Sequence, residues 1–114
     1  MTLSRSIAWA IFLAATVTCG SRAQTLDGHG LNQWCRGTAT ERTLCMGYVS
    51  AIVDMYEFLK LAGGTIDICV PPGARPLIVN DAVVDFLRDH PSMLPALAPQ
   101  LVGLALSQRF PCRP

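Results

Sequence analysis

The chain has 114 residues, 51% of them hydrophobic and 15% charged, with a formal net charge of +1. That composition is too apolar for a disordered chain, and it has no basic excess to serve general nucleic-acid binding. The length holds one domain and excludes most two-domain enzymes.

The first element has the layout of a secretory signal peptide over residues 1–23. Arg5 gives the positive start, and Ile7 to Val17 form an apolar run of eleven residues. Ser21 and Ala23 are the small residues before a cleavage site, so cleavage is predicted after Ala23. A membrane span would need about 20 apolar residues, and Arg22 interrupts this run too early. A lipid anchor on Cys19 is the other alternative, but Thr16-Val17-Thr18 is a poor lead-in for it. The expected mature domain is residues 24–114. Loss of Arg5 and Arg22 leaves seven basic residues against eight acidic in those 91 residues, a charge of −1.

The mature part keeps four cysteines, Cys35, Cys45, Cys69 and Cys112. An even number in an oxidising compartment predicts two disulfides. A metal site is disfavoured, since there is no C-x-x-C and the two histidines are far apart. Bridged cysteines also have no thiolate to offer as a nucleophile.

A short helix is expected from Gly30 to Arg36, ended by Gly37 in a left-handed conformation. Thr38 and Glu41 have the spacing of a capping box. The long helix that follows carries Cys45, Tyr48, Val49, Ile52, Val53, Tyr56 and Leu59 at spacings of three and four as its core stripe. Asp54, Glu57 and Lys60 fall on its other faces, and Gly63-Gly64 stops it. Thr65 to Cys69 reads as an extended connector, and Val70-Pro71-Pro72-Gly73 as a turn. Pro76 suits the first position of a third helix, with Val79, Ala82, Val83, Phe86 and Leu87 facing the core. Asn80, Asp81, Asp85, Arg88 and Asp89 lie opposite, and His90-Pro91 ends the helix. After a proline-broken turn, a last helix starts near Ala98 with Leu101, Val102, Ala105 and Leu106 inward. The fold class is therefore a small all-α bundle of three main helices plus a short leading one.

If the three main helices run up, down and up, Cys45 lies near Cys35 at one end. Cys69 and Cys112 meet at the other. The pairs Cys35–Cys45 and Cys69–Cys112 follow. Other pairings would span the long helix, roughly 25 Å at 1.5 Å per residue, against a Cα limit of about 7 Å.

An ordered set of residues carries a family resemblance. It comprises Cys45-x-x-Tyr48-Val49 with Asp54, then Cys69-Val70-Pro71, then Phe86-Leu87-Arg88-Asp89-His90-Pro91, and finally Ala105-Leu106-x-x-x-Phe110-Pro111-Cys112. This set resembles the Rap/Tai family of periplasmic immunity proteins, over about Leu31 to Cys112. The resemblance implies an exported, disulfide-bonded, all-helical domain, often a homodimer. It also implies a protein partner, a peptidoglycan amidase effector of type VI secretion whose active site the immunity protein blocks. Tyr48, Asp54, Pro71, His90, Pro91, Phe110 and Pro111 are the motif residues expected to have structural roles. Ala51 departs from the family, which often has glycine there.

Individual residues have competing readings. Asp54 is either a contact for a neighbouring element or a solvated carboxylate. Asp85, Arg88 and Asp89, with His90, are the candidate partner-binding patch, or else a wet helix face. Tyr48 and Tyr56 are expected in the core with their hydroxyls at its rim, and Trp34 under the Cys35–Cys45 bridge. No role falls to His29. No convergent set of titratable groups points to catalysis, so no enzyme activity and no cofactor are expected. The alternative to an immunity role is a periplasmic chaperone or envelope-stress protein of the same fold.

Overall fold

A computed structural model describes residues 25–113. The expected signal peptide, its cleavage site and Cys19 lie outside the described residues. Helix α1 spans Gly28–Arg36, α2 Ala39–Leu61, α3 Pro76–Asp89 and α4 Ala98–Arg109, with one 3-10 turn at Pro91–Met93. The architecture is all-α, as its periodicity predicts. Helix α1 packs on α2, and α3 lies between α2 and α4.

Helix α1 starts two residues before its expected position. The Asp27 carboxylate accepts from the Gly30 N–H at 2.9 Å and caps the helix. Tertiary pairing holds this start in place. Gly28 N–H donates to Ala96 O at 2.9 Å, and Ala98 N–H donates to Leu26 O at 2.8 Å. Two glycines in a first turn weaken intrinsic helix propensity, so the local sequence alone places the start too late. Gly37 ends α1, but at φ −84° it is not left-handed. Its lack of a side chain matters for space instead. A Cβ there would collide with the Glu41 carboxylate and stand 2.8 Å from Gln33 O.

Helix α2 opens on the expected capping box. Thr38 N–H donates to Glu41 Oε2 at 2.7 Å, and Glu41 N–H donates to Thr38 Oγ1 at 3.3 Å. It ends where Gly63 turns left-handed, at φ +91°. Cys45, Val49 and Ile52 are buried, while Tyr48, Val53 and Tyr56 are half-buried against the core. Leu59 departs from expectation and is 37% exposed. The reason is length. The 23 residues of α2 extend about 34 Å, against about 21 Å for α3 and about 18 Å for α4. Its last turns therefore have no helix long enough to cover them.

The core of α3 is Val79, Val83, Phe86 and Leu87, and that of α4 is Ala98, Leu101, Val102, Ala105 and Leu106. Asn80 departs from the polar face expected of it. It is half-buried, with Oδ1 3.3 Å from the Cys45 sulfur, a contact because a bridged sulfur has no hydrogen to donate. Both expected disulfides are present, Cys35–Cys45 and Cys69–Cys112, each with a Cα separation of 5.0 Å. Trp34 meets Tyr48 edge-on, with ring centroids 6.2 Å apart.

The connector over 65–70 has no regular structure, yet it is firmly tied. Cys69 N–H donates to Phe110 O at 2.7 Å, and Cys112 N–H donates to Asp67 Oδ1 at 2.9 Å. Ile68, 4% exposed, anchors it in the core. These contacts and the Cys69–Cys112 bridge bind the C-terminal tail to the connector.

Candidate binding surface

The sequence places Asp85, Arg88 and Asp89 on the outer side of α3, and all three are exposed. Arg88 Nη1 lies 3.1 Å from Asp85 Oδ1, and its Nε donates to Asp89 Oδ1 at 3.0 Å. The hydrogen bond that Arg88 donates to Asp89, with both carboxylates' charge, raises the guanidinium pKa above its ordinary value. Arg88 thus stays charged and bridges two carboxylates one helical turn apart. The result is a preset pattern of charge on a helix face.

Beside it is a cleft of about 280 Å³, lined by Asp85, Asp89, His90, Gln108 and Arg109 with Phe86 at its wall. His90 shapes this end of α3. Its backbone N–H donates to Phe86 O at 3.0 Å, and its Nδ1 lies 2.8 Å from the same oxygen. A carbonyl only accepts, so Nδ1 carries the proton that this contact uses. The ring stacks on Phe86 at 4.1 Å between centroids. His90 is thereby a helix stop. Pro91 continues that stop, opening the 3-10 turn that carries the chain toward α4.

The remaining motif residues are spread over the fold. Tyr48 is half-buried, and burial raises its phenol pKa. Asp54 is exposed beside Val70, Ala74 and Pro76, with no side-chain hydrogen bond among the described residues. Pro71 O accepts from Ala74 N–H at 3.0 Å and closes the turn before α3. Phe110 packs against the core, and Pro111 is half-buried next to the second bridge.

Two features escaped the sequence reading. One is Asp67, which pins the tail; an acidic residue in a connector has no periodic signal to mark it. The other is the apolar surface of the α2 end, with Phe58 67% and Leu61 88% exposed. Between that end, the connector and α4 runs an open apolar groove of about 540 Å³, lined by Tyr56, Ile66, Met93 and Leu104 among others. Tyr56 lies so close to Gly103 that a Cβ there would collide with the phenol oxygen.

Among the described residues, no group of three or more His, Cys, Asp or Glu is arranged to hold a metal, and no helix is long and apolar enough to cross a membrane. The family model of the Rap1a immunity proteins matches residues 27–112. The chain belongs to this family. The Rap1a match begins at the Asp27 cap of α1 and ends at Cys112, so it takes in all four helices and both bridges. No curated protein matches the chain.

Proposed function

We propose that this protein is exported to the periplasm, where it binds a type VI secretion effector that cleaves peptidoglycan amide bonds and covers that effector's active cleft. The observation that carries the reading is the Rap1a family match across the whole helical domain. Inhibition by cover needs a surface that does not rearrange on binding, because ordering side chains and loops subtracts from affinity. The fold supplies this rigidity at small size. By loop closure, the bridges with separations of 10 and 43 residues stabilise by about 3 and about 4 kcal/mol. Asp85, Arg88 and Asp89 provide the polar contacts, held in place by their own ion pairs. The reading includes self-association into a homodimer, as the family resemblance implies. It includes no catalytic step.

Co-expression tests it. A cell-wall amidase encoded beside this gene, sent to the periplasm, should lyse cells alone and spare them when this protein is co-exported. The purified pair should co-elute and lose amidase activity. Failure to bind any cell-wall hydrolase encoded beside it overturns the reading.

A further inference from the structure

The cleft at the end of α3 holds opposite charges that do not meet. Asp85, Asp89 and His90 line it from the α3 side, Gln108 and Arg109 from α4, with buried Phe86 between. Arg88 occupies one oxygen of each carboxylate, Asp85 Oδ1 and Asp89 Oδ1. The second oxygen of each has no hydrogen bond among the described residues. Two carboxylates against one guanidinium leave this wall net negative. His90 commits Nδ1 to Phe86 O, so Nε2 of the neutral ring is an acceptor. Gln108 and Arg109 are exposed, and among the described residues neither forms a side-chain hydrogen bond or an ion pair. A cation suits the last turn of a helix, which accounts for Arg109 on α4. It does not account for carboxylates that line the same cleft and stay apart from it.

From this separation we infer that the cleft binds a small zwitterion, an amino acid or a dipeptide with both ends free. Its ammonium group meets the uncommitted oxygens of Asp85 and Asp89 and Nε2 of His90. Its carboxylate meets Arg109, with the Gln108 amide as a further donor. Charge selects such a ligand. A simple cation satisfies only the α3 wall, and a simple anion meets repulsion there. A zwitterion satisfies both walls at once. Size agrees. At about 280 Å³ the cleft falls just below the ~300–1,000 Å³ of sites for drug-sized ligands. An extended dipeptide is about 7 Å long, close to the edge of a cube of that volume. Exposed charge contacts are individually weak, so the Kd is in the millimolar range. The site concerns this protein alone and stands or falls separately from effector binding.

Amide chemical shifts of the isotope-labelled protein, titrated at neutral pH with alanine and with alanyl-alanine, test this. At least one compound should move the signals of His90, Gln108 and Arg109 saturably, and the tighter one identifies the ligand's length. N-acetyl-alanyl-alanine and alanyl-alanine amide each lack one charge and should bind about tenfold more weakly than the free dipeptide. Arg109→Gln should cost the dipeptide a similar factor and its amide nothing, since the amide has no carboxylate to lose. Asp89→Asn should likewise weaken the dipeptide but not its N-acetyl form. Both positions are exposed, so the variants should keep their melting temperature. The absence of saturable shifts, or shifts confined to other residues, overturns the inference. So does equal binding of the capped peptides, or an Arg109→Gln loss of the same size for the dipeptide and its amide.

Discussion

The backbone of Gly28 rests on that of Leu94. A Cβ at position 28 would stand 2.6 Å from Leu94 O and 2.8 Å from Leu94 Cα, and would collide with Leu101 Cδ1. The contact locks the start of α1 to the turn before α4, where His29 N–H also donates to Leu94 O at 3.2 Å. Backbone cannot rotate aside as a side chain can. Gly28→Ala should therefore destabilise by about 1–3 kcal/mol through overpacking. Gly47 in α2 has nothing within 4 Å of its Cβ position, so Gly47→Ala should stabilise by about 1 kcal/mol through helix propensity. Urea unfolding of both variants checks the contrast. Equal effects would remove the steric explanation.

The capping box gives α2 a defined response to acid. The Thr38 N–H donates to the Glu41 carboxylate, with further support from Gln33, and this holds the Glu41 pKa below its ordinary value of 4.5. A carboxylate with a lowered folded pKa stabilises the fold above the unfolded value. That contribution is lost as pH falls through the folded value. Glu41→Gln, which keeps a side-chain oxygen acceptor but does not titrate, should remove this part of the acid sensitivity. Unfolding of wild type and variant between neutral pH and pH 3 measures it. Parallel pH profiles would contradict the cap's charge dependence.

Both bridges contribute to stability, and their loop lengths rank them. Replacing Cys69 and Cys112 together by serine should cost about 4 kcal/mol, and Cys35 with Cys45 about 3 kcal/mol. Asp67 should weaken in concert with the first pair. Asp67→Ala removes the acceptor for the Cys112 N–H, at about 1 kcal/mol. Its effect should shrink in the Cys69→Ser, Cys112→Ser background, where the tail is already untied. A double-mutant cycle by thermal melting reads this coupling, and strict additivity would contradict it.

Arg88 lies between two carboxylates on the exposed end of α3. Arg88→Glu removes both ion pairs and turns the face strongly acidic. Exposed pairs add little to folding, so the melting temperature should hold. Under the proposed function, the association rate with the effector should change by about tenfold, as rim charges act mainly on encounter. Stopped-flow association at low and high salt measures this. Unchanged rates would remove this face from the contact.

Local rules made much of the fold legible. The i, i+3, i+4 spacing from Cys45 to Tyr56 marks α2, Thr38 and Glu41 mark its start, and Pro76 and His90-Pro91 bound α3. Disulfide partners followed from helix order alone, since a helix is a rigid ruler. The misreadings share a cause. The start of α1 at Asp27 is held because Ala96 O and Leu94 O accept from the Gly28 and His29 N–H groups that follow. Asn80 turns inward because the Cys45 sulfur is its neighbour. Gly37 is needed for the room that Glu41 takes up. Each depends on a group distant in sequence or on space no periodicity encodes.

By itself, the sequence determined an all-helical domain stapled by Cys35–Cys45 and Cys69–Cys112, and its ordered motifs resembled an immunity family. Those features follow from backbone periodicity, capping chemistry and chain length, which act over a few residues. Only the tertiary structure decided which apolar residues stay uncovered. Leu59 has the same spacing as the buried Ile52 and Cys45, yet α3 and α4 are too short to reach it. Exposure depends on what lies opposite. The exposed Met55, Phe58 and Leu61 of α2 therefore stood out only once the bundle had formed around the buried stripe.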